Sequence, residues 1–370
     1  MIDACPRQAN TPPMKRLTLL LAALLGLAAP ALAQTLQPLE GDALLKDFRF
    51  GSGERLPELK MHYRTLGTPV KNKLGEIENA IMVLHGTGGS GAQFLVPQFA
   101  DELFKPGQPL DIAKYYVILP DNIGHGASSK PSDGMKMTFP AYDFSDMVRA
   151  QKRLLTETLK VRSLQLILGT SMGCMHAFVW GTDHAGFAKR LAPFACNPIE
   201  IAGRNRMWRK MAIDAIKADP SWAGGNYTAQ PAQGMRTVVD LQTIAGENPL
   251  RLQHLYPTRV TSEVYLAETF KARTERGADA NDTIYQIDSS RTYNPFARLG
   301  RITVPVLWIN SADDFINPPG VGGGEEALSR MPRALYILIG GSTATRGHGT
   351  HTWAAFWKKE VASLLSEPVQ

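Results

Sequence analysis

Six short apolar runs recur along this chain, and they constrain its fold more than anything else in it. They occupy positions 80–84, 115–119, 164–168, 190–194, 304–309 and 334–339. Each is five or six mostly apolar residues with little polar alternation, the pattern of strands buried on both faces. The intervals between several of them carry helical periodicity, as at 147–155, and an amphipathic stretch over 353–365 closes the chain. Alternating strands and helices predict a mostly parallel sheet with helices on both faces. Residues 44–66 lead in with Phe48-Arg49-Phe50, a Gly-Ser-Gly turn and a second run from Lys60 to Leu66, which predicts an antiparallel hairpin. Residues 197–296 break the rhythm, with helical patterns at 208–217 and 264–276 and no core strand. They read as a helical cap inserted between two strands and covering the pocket. The expected organisation is a leader over 1–33, a core over 34–196, the cap over 197–296 and the rest of the core over 297–370.

The leader is read from Lys15-Arg16, the apolar run from Leu17 to Leu27, and Ala31-Leu32-Ala33 before Gln34. A basic start, a short apolar segment and a small-x-small cleavage site form the pattern of a secretory signal peptide. The run is short for a membrane span, so no stable insertion is expected once the leader is removed. Met14 is an alternative start, and the mature chain is expected to begin at Gln34 in the periplasm or outside the cell. Of the three cysteines, Cys5 falls in the leader. Cys174 and Cys196 lie in apolar surroundings, which favours two buried thiols, although an oxidising location permits one bridge. The formal net charge of +6 is spread among acidic residues without a dense basic block, so no nucleic-acid partner is expected.

The chemistry starts at Gly169-Thr170-Ser171-Met172-Gly173. This G-x-S-x-G sits between an apolar strand and a helix-like stretch, the setting of a nucleophile elbow. The glycines leave room for a strained turn, and the helix N-terminus behind Ser171 favours developing negative charge. His85-Gly86-Thr87-Gly88-Gly89 follows the run at 80–84, and the backbone N–H groups of Thr87 and Met172 are assigned to an oxyanion hole. His85 itself reads as a loop brace. His125, in the Gly-rich turn 121–128, reads as part of the site's floor. The acid follows the run at 304–309, where Asp313 and Asp314 are neighbours. Asp314 is favoured by its Asp-x-x-x-Pro spacing, which leaves Asp313 to cap a helix or face solvent. The base is sought in Gly347-His348-Gly349-Thr350-His351; Gly-His before a last helix favours His348, with His351 starting that helix or lining the pocket. The chain order Ser171, Asp314, His348 is that of a Ser-His-Asp triad on this kind of fold. No His/Cys/Asp set has metal-ligand spacing, and neither metal nor organic cofactor is expected.

These residues resemble the α/β-hydrolase superfamily, and more narrowly its homoserine O-acetyltransferase branch, over most of 58–366. The resemblance rests on the segments 63–68, 146–151, 169–175 and 219–227. It implies the α/β-hydrolase fold, an acyl-Ser171 intermediate, and acyl transfer from acyl-CoA to a hydroxyl acceptor, with Ser171, Asp314 and His348 at the family's triad positions. Relatives often pair through their caps, so the resemblance allows a homodimer. There are departures. Thr170 and Cys174 flank the elbow where the family tends to have glycine. Gly86-Thr87-Gly88 replaces Ala-Leu-Thr, and an arginine expected near Ile213 is absent, with Arg206 or Arg209 as substitutes. Acetyl-CoA and homoserine are cytoplasmic, so export and these departures favour an exported serine hydrolase acting on a small ester or related acyl substrate. An O-acyltransferase using a small alcohol such as homoserine is the alternative. A non-catalytic binding protein on the same fold is a third.

Overall fold

The computed structural model describes residues 36–368; the expected leader, with Cys5 and both start candidates, lies outside them. The hairpin of β1 (Leu39–Arg49) and β2 (Arg55–Leu66) comes first, with Phe48 opposite Leu56. Then follow β3 (Ala80–Leu84), α1 (Pro97–Leu103), β4 (Tyr116–Pro120), α2 (Phe144–Arg153), β5 (Leu166–Thr170), α3 (Met172–Asp183) and β6 (Leu191–Phe194). Five helices separate β6 from the next strand. They are α4 (Gly203–Ala218), α5 (Ala232–Gly246), α6 (Pro249–Leu255), α7 (Arg259–Glu275) and α8 (Ala280–Asp288). The sheet resumes with β7 (Val306–Ser311), α9 (Gly324–Arg330) and β8 (Ala334–Ile339), and α10 (Lys358–Ser366) ends the described chain.

The strands form one sheet in the order β1-β2-β4-β3-β5-β6-β7-β8. Neighbours from β4 to β8 run parallel, while β2 pairs antiparallel with both β1 and β4. The apolar runs are continuous because both faces are covered. Alternate side chains enter opposite layers: Met82, Leu84, Ile118 and Ile167 join Phe178, Trp180 and Trp308, whereas Ile81, Val83, Val117 and Leu166 join Phe99, Phe194 and Trp357. The strand order reverses at β3, which has β4 on one side and β5 on the other. Such a switch point opens a crevice at the carboxyl ends of the strands.

Three local expectations change. The run at 164–168 shifts to 166–170, because Gly169 and Thr170 continue the ladder opposite Pro193 and Phe194. The closing helix begins at Lys358, not Trp353; 3₁₀ turns occupy Gly347–Thr352 and Ala354–Phe356. Two tryptophans override the periodicity there. Trp357 is buried against Phe99 and Phe194, with ring centroids 5.8 and 4.6 Å away, whereas Trp353 stacks under Arg346. Finally, Cys174 and Cys196 are bonded to each other, with Cα atoms 5.9 Å apart, and are not two free thiols. Cys174 is in the first turn of α3 and Cys196 lies just past β6. Their encounter follows from the pairing of β5 with β6, which sequence spacing does not reveal.

Candidate active site

Ser171 stands between the end of β5 and the start of α3 with φ +55°, a conformation that costs a non-glycine residue of order 1–3 kcal/mol. Its surroundings over-determine that turn. The Ser171 N–H donates to the Phe194 carbonyl at 2.9 Å, and its carbonyl accepts from the Met175 N–H at 3.2 Å. A Cβ on Gly169 would lie 1.9 Å from the Gly173 carbonyl oxygen, and one on Gly173 would lie 2.0 Å from that of Leu84. Strand, turn and helix therefore approach more closely than any side chain allows. Ser171 is 8% exposed, so its hydroxyl is reached from the crevice alone.

The structure brings three of the expected residues together. His348 Nε2 is 2.8 Å from Ser171 Oγ, and His348 Nδ1 is 2.8 Å from Asp314 Oδ2. With Nδ1–H donating to the carboxylate, Nε2 is left to accept the serine proton. Asp314 is buried, and its Oδ1 accepts the Ile316 and Asn317 N–H groups at 2.8 and 2.9 Å, which fixes the carboxylate in place. Asn317 is held in turn, its amide donating to the Ala195 carbonyl at 2.9 Å.

The rejected alternatives have other positions. Asp313 caps no helix; half-buried, it accepts hydrogen bonds from Asn248, Thr345, Gly347 and Ser311. His351 lies in the 3₁₀ turn, ahead of the closing helix. Its ring meets that of His348 edge-on at 5.0 Å, and burial, with the neighbouring His348, pushes its pKa well below the usual imidazole value. Arg206 is paired with Asp288 at 3.4 Å. Arg209 is buried beside Ile213's helix face, donating only to Asn205 and the Ile287 carbonyl; burial lowers its pKa to about 10, so it stays charged.

Met172 follows Ser171 at the start of α3, and Thr87 lies on the loop that leaves β3. A Cβ on Gly86 would lie 3.2 Å from Ser171 Cβ, so the 85–89 loop passes directly against the nucleophile candidate, and Met172 opens α3. His85 braces that loop: Nδ1–H donates to the Gly86 carbonyl at 2.8 Å and Nε2 accepts the Asn122 N–H at 3.0 Å. The contact continues inward. The Gln151 amide donates to Asn122 Oδ1 at 2.5 Å and to His176 Nδ1 at 3.1 Å, and Trp180 donates to Gln151 Oε1 at 2.7 Å. Burial depresses the His85 pKa to about 4 and the His125 pKa to about 3, and pushes His176 well below its ordinary value. All three are neutral at pH 7. Asn122 and Gln151 were not singled out in the sequence, since amides in apolar surroundings have no motif.

A cavity of about 480 Å³ opens from Thr87 and Gly88 toward the inserted helices, with Met235, Val238, Phe270 and Arg273 among its walls. Its size suits a small-molecule ligand.

Residues 79–342 match the family model described as alpha/beta hydrolase fold. The chain is 36% identical over 306 residues to a homoserine O-acetyltransferase of Solidesulfovibrio magneticus, covering 76% of this chain and 72% of that one. It is 31% identical over 309 residues to the homoserine O-acetyltransferase of Moorella thermoacetica, covering 72% and 80%. Among solved structures it resembles homoserine O-acetyltransferase from Bacillus anthracis, with TM-score 0.78, 22% identity and coverage of 90% and 99%. It also resembles an acetylester hydrolase from Corynebacterium glutamicum, with TM-score 0.76, 20% identity and coverage of 89% and 96%. At those identities the structural likeness speaks for the fold.

Proposed function

Because the chain belongs to the α/β-hydrolase fold family, in its homoserine O-acetyltransferase-like branch, and is an enzyme of hydrolase or acyltransferase type, we propose that it cleaves a small ester or related acyl compound through an acyl-Ser171 intermediate. The observation that carries this is the pair of 2.8 Å contacts linking Ser171, His348 and Asp314. Ser171 Oγ attacks the carbonyl carbon as its proton passes to His348 Nε2. The negative charge developing on the carbonyl oxygen is met by the Thr87 and Met172 N–H groups, each such donor being worth about 10²–10³ in rate. The imidazolium gives its proton to the departing alcohol. Water then attacks the acyl carbon and passes a proton to His348, which returns it to Ser171 Oγ as the ester bond breaks and the acid leaves. Asp314 stays ionised and orients the ring throughout.

A fluorophosphonate probe is expected to label the protein at Ser171, and Ser171→Ala is expected to abolish both labelling and turnover of p-nitrophenyl esters. An unlabelled native protein overturns the reading.

Transfer of the acyl group to a small alcohol in place of water is the second reading. It is favoured by the sequence relatives, both named homoserine O-acetyltransferase. Comparing acetyl-CoA plus homoserine with simple esters as substrates separates the two.

We also propose that the protein is exported to the periplasm or beyond. The Cys174–Cys196 bond supports this, since such bonds persist in oxidising compartments. The leader pattern over 1–33 agrees with it. N-terminal sequencing of the exported protein is expected to begin at Gln34; a retained Met1 or Met14 contradicts it. Pairing of two copies through the inserted helices is a further proposal, supported by their exposed Met207, Met211, Leu250, Val260 and Val264.

A further inference from the structure

The pairing of β7 with β8 ends at Ser311 opposite Ile339, with one last bond from the Ala312 N–H to the Ile339 carbonyl. Asp314 and His348 both lie beyond that point, on loops the sheet no longer holds in register. Yet their side chains meet at 2.8 Å.

A polar cluster around the half-buried Asp313 bridges the two loops, and its centre comes from the inserted helices. Asn248 is fully buried between α5 and α6. Its Oδ1 caps α6 by accepting the Arg251 N–H at 3.1 Å, which turns its NH₂ group toward the loops. Nδ2 lies 2.6 Å from Asp313 Oδ2, 2.6 Å from the Ser342 carbonyl and 2.9 Å from Thr345 Oγ1. One assignment pairs the amide, the hydroxyl and the carboxylate with one another, with the Thr345 carbonyl a further acceptor 3.1 Å from Nδ2. The two amide hydrogens go to Asp313 and Ser342. The Thr345 hydroxyl donates to Asp313 Oδ2 at 2.7 Å and accepts the Ser342 N–H at 2.9 Å. The Gly347 N–H adds a donor to Asp313 Oδ2 at 3.3 Å, and the Ser311 hydroxyl donates to Oδ1. A carboxylate ringed by neutral donors draws them in more strongly than an amide could. The backbone agrees: at Gly347, φ +57°, a Cβ would lie 2.8 Å from the Glu247 carbonyl carbon.

Asp313 adjoins Asp314 in sequence and Gly347 adjoins His348, so the cluster grips the residue before each member of the acid–base pair. We propose that Asn248 and Asp313 are positioning residues that hold the His348 loop in register with Asp314, so that the inserted helices help to set the reach of the base toward Ser171. This rests on the reading of Ser171 as nucleophile. It goes beyond that reading by giving the insert a part in the geometry of the chemistry.

The test uses the full chain with Asn248→Ala and Asp313→Asn, and with Thr345→Val as the milder variant that carries the test if Asn248→Ala fails to fold. Active Ser171 is titrated with a fluorophosphonate, and kcat and KM for a p-nitrophenyl ester are followed over about pH 5 to 9. Loosened register is expected to lower kcat per titrated site about tenfold in Asn248→Ala and Asp313→Asn, less in Thr345→Val, with KM within about twofold. The fall in kcat at a nearly constant KM is the signature of lost orientation that a merely structural role would not give. Full kcat per titrated site in these variants, or a loss carried by KM alone, overturns the proposal, whatever the change in thermal stability. A native protein that takes no label overturns the reading of Ser171 instead, so the two failures are distinguishable.

Discussion

The sheet and the inserted helices meet at the same crevice but are built by different means. β3, β4, β5, β6 and β7 are buried along their whole lengths, and α3 buries all but its last residue. The turn at Ser171 is defined by backbone atoms at van der Waals limits. By contrast, α6 and α7 bury no residue at all, and the insert grips the core through side-chain hydrogen bonds. Asn248 is one such grip. Asn205 and Arg204 are others, donating to the Ile316 and Phe315 carbonyls at 3.1 and 2.7 Å. The nucleophile candidate is thus fixed by contacts that cannot relax cheaply, while the walls of the cavity and the register of the base depend on contacts that can. Regions with few buried apolar contacts open at low free-energy cost.

The largest effect expected from breaking this arrangement is chemical and lies in the core. Asp314→Asn keeps the side chain's shape but presents an amide to His348 Nδ1, which favours the wrong tautomer. A loss of about 10⁴ in kcat is expected, with the thermal midpoint nearly unchanged. Equal turnover in Asp314→Asn and native protein would mean that the carboxylate has no role in turnover.

Next comes the disulfide, which ties α3, the helix behind Ser171, to the segment just past β6. It closes a loop with a sequence separation of 22, for which the chain-entropy model gives about 3 kcal/mol. Cys174→Ala with Cys196→Ala is expected to lower unfolding stability by about that amount, measured by urea titration. Both half-cystines are fully buried, so the native bond is expected to resist mild reductant unless the protein is unfolded.

How much of this was legible in the sequence divides along the same line. The runs at 80–84 and 334–339 coincide with β3 and β8; β3 is apolar because it is buried throughout, whereas β8, at the sheet edge, keeps its apolar run with Leu335 and Leu338 exposed. Ser171 and its glycines were legible because the turn needs those residue types at that spacing. Asn248 was not, because an Asn before Pro reads as an ordinary helix cap, and its second role depends on loops nearly a hundred residues away. Asp313 was misjudged for the same reason. The Asn122–Gln151 contact and the Cys174–Cys196 bond are likewise products of tertiary neighbours, which no local pattern encodes.

Acid separates the two regions by sign. His85 and His125, in the core, have folded-state pKa values lowered to about 4 and about 3 by burial. Between those values and the unfolded value of 6.5 the unfolded chain binds more protons, so stability falls as pH drops, by about 1.4 kcal/mol per unit for each group. Asp282, at the seam where α8 meets Ser132, is shifted the other way, to about 6, chiefly by burial. Between 3.8 and 6 the folded chain binds more protons there, and its contribution strengthens as pH falls. His176, also pushed well below its ordinary value by burial, adds to the same loss, so the histidines outweigh Asp282 and stability falls from pH 6.5 toward pH 4. A thermal midpoint flat over that interval would mean that the histidines are not buried as neutral rings.

The smallest effect on stability, and the sharpest test of what the insert's outer face does, comes from charging it. Val264 on α7 is 50% exposed and Met211 on α4 is 55% exposed. In an isolated chain, Met211→Glu or Val264→Glu is expected to change stability by no more than about 0.5 kcal/mol, as surface substitutions do. If two copies pair through these helices, the same substitutions bury a charge in an apolar interface and should dissociate the pair. Sedimentation at several concentrations distinguishes the cases. A native protein that sediments as a dimer, with a monomeric Val264→Glu of unchanged fold, supports pairing; a native monomer at every concentration removes it. The activity of such a monomer then adds a further reading. Turnover equal to that of the dimer would mean that α4 to α8 hold the His348 loop without a second copy, and reduced turnover at unchanged KM would mean that pairing stiffens the segment carrying Asn248.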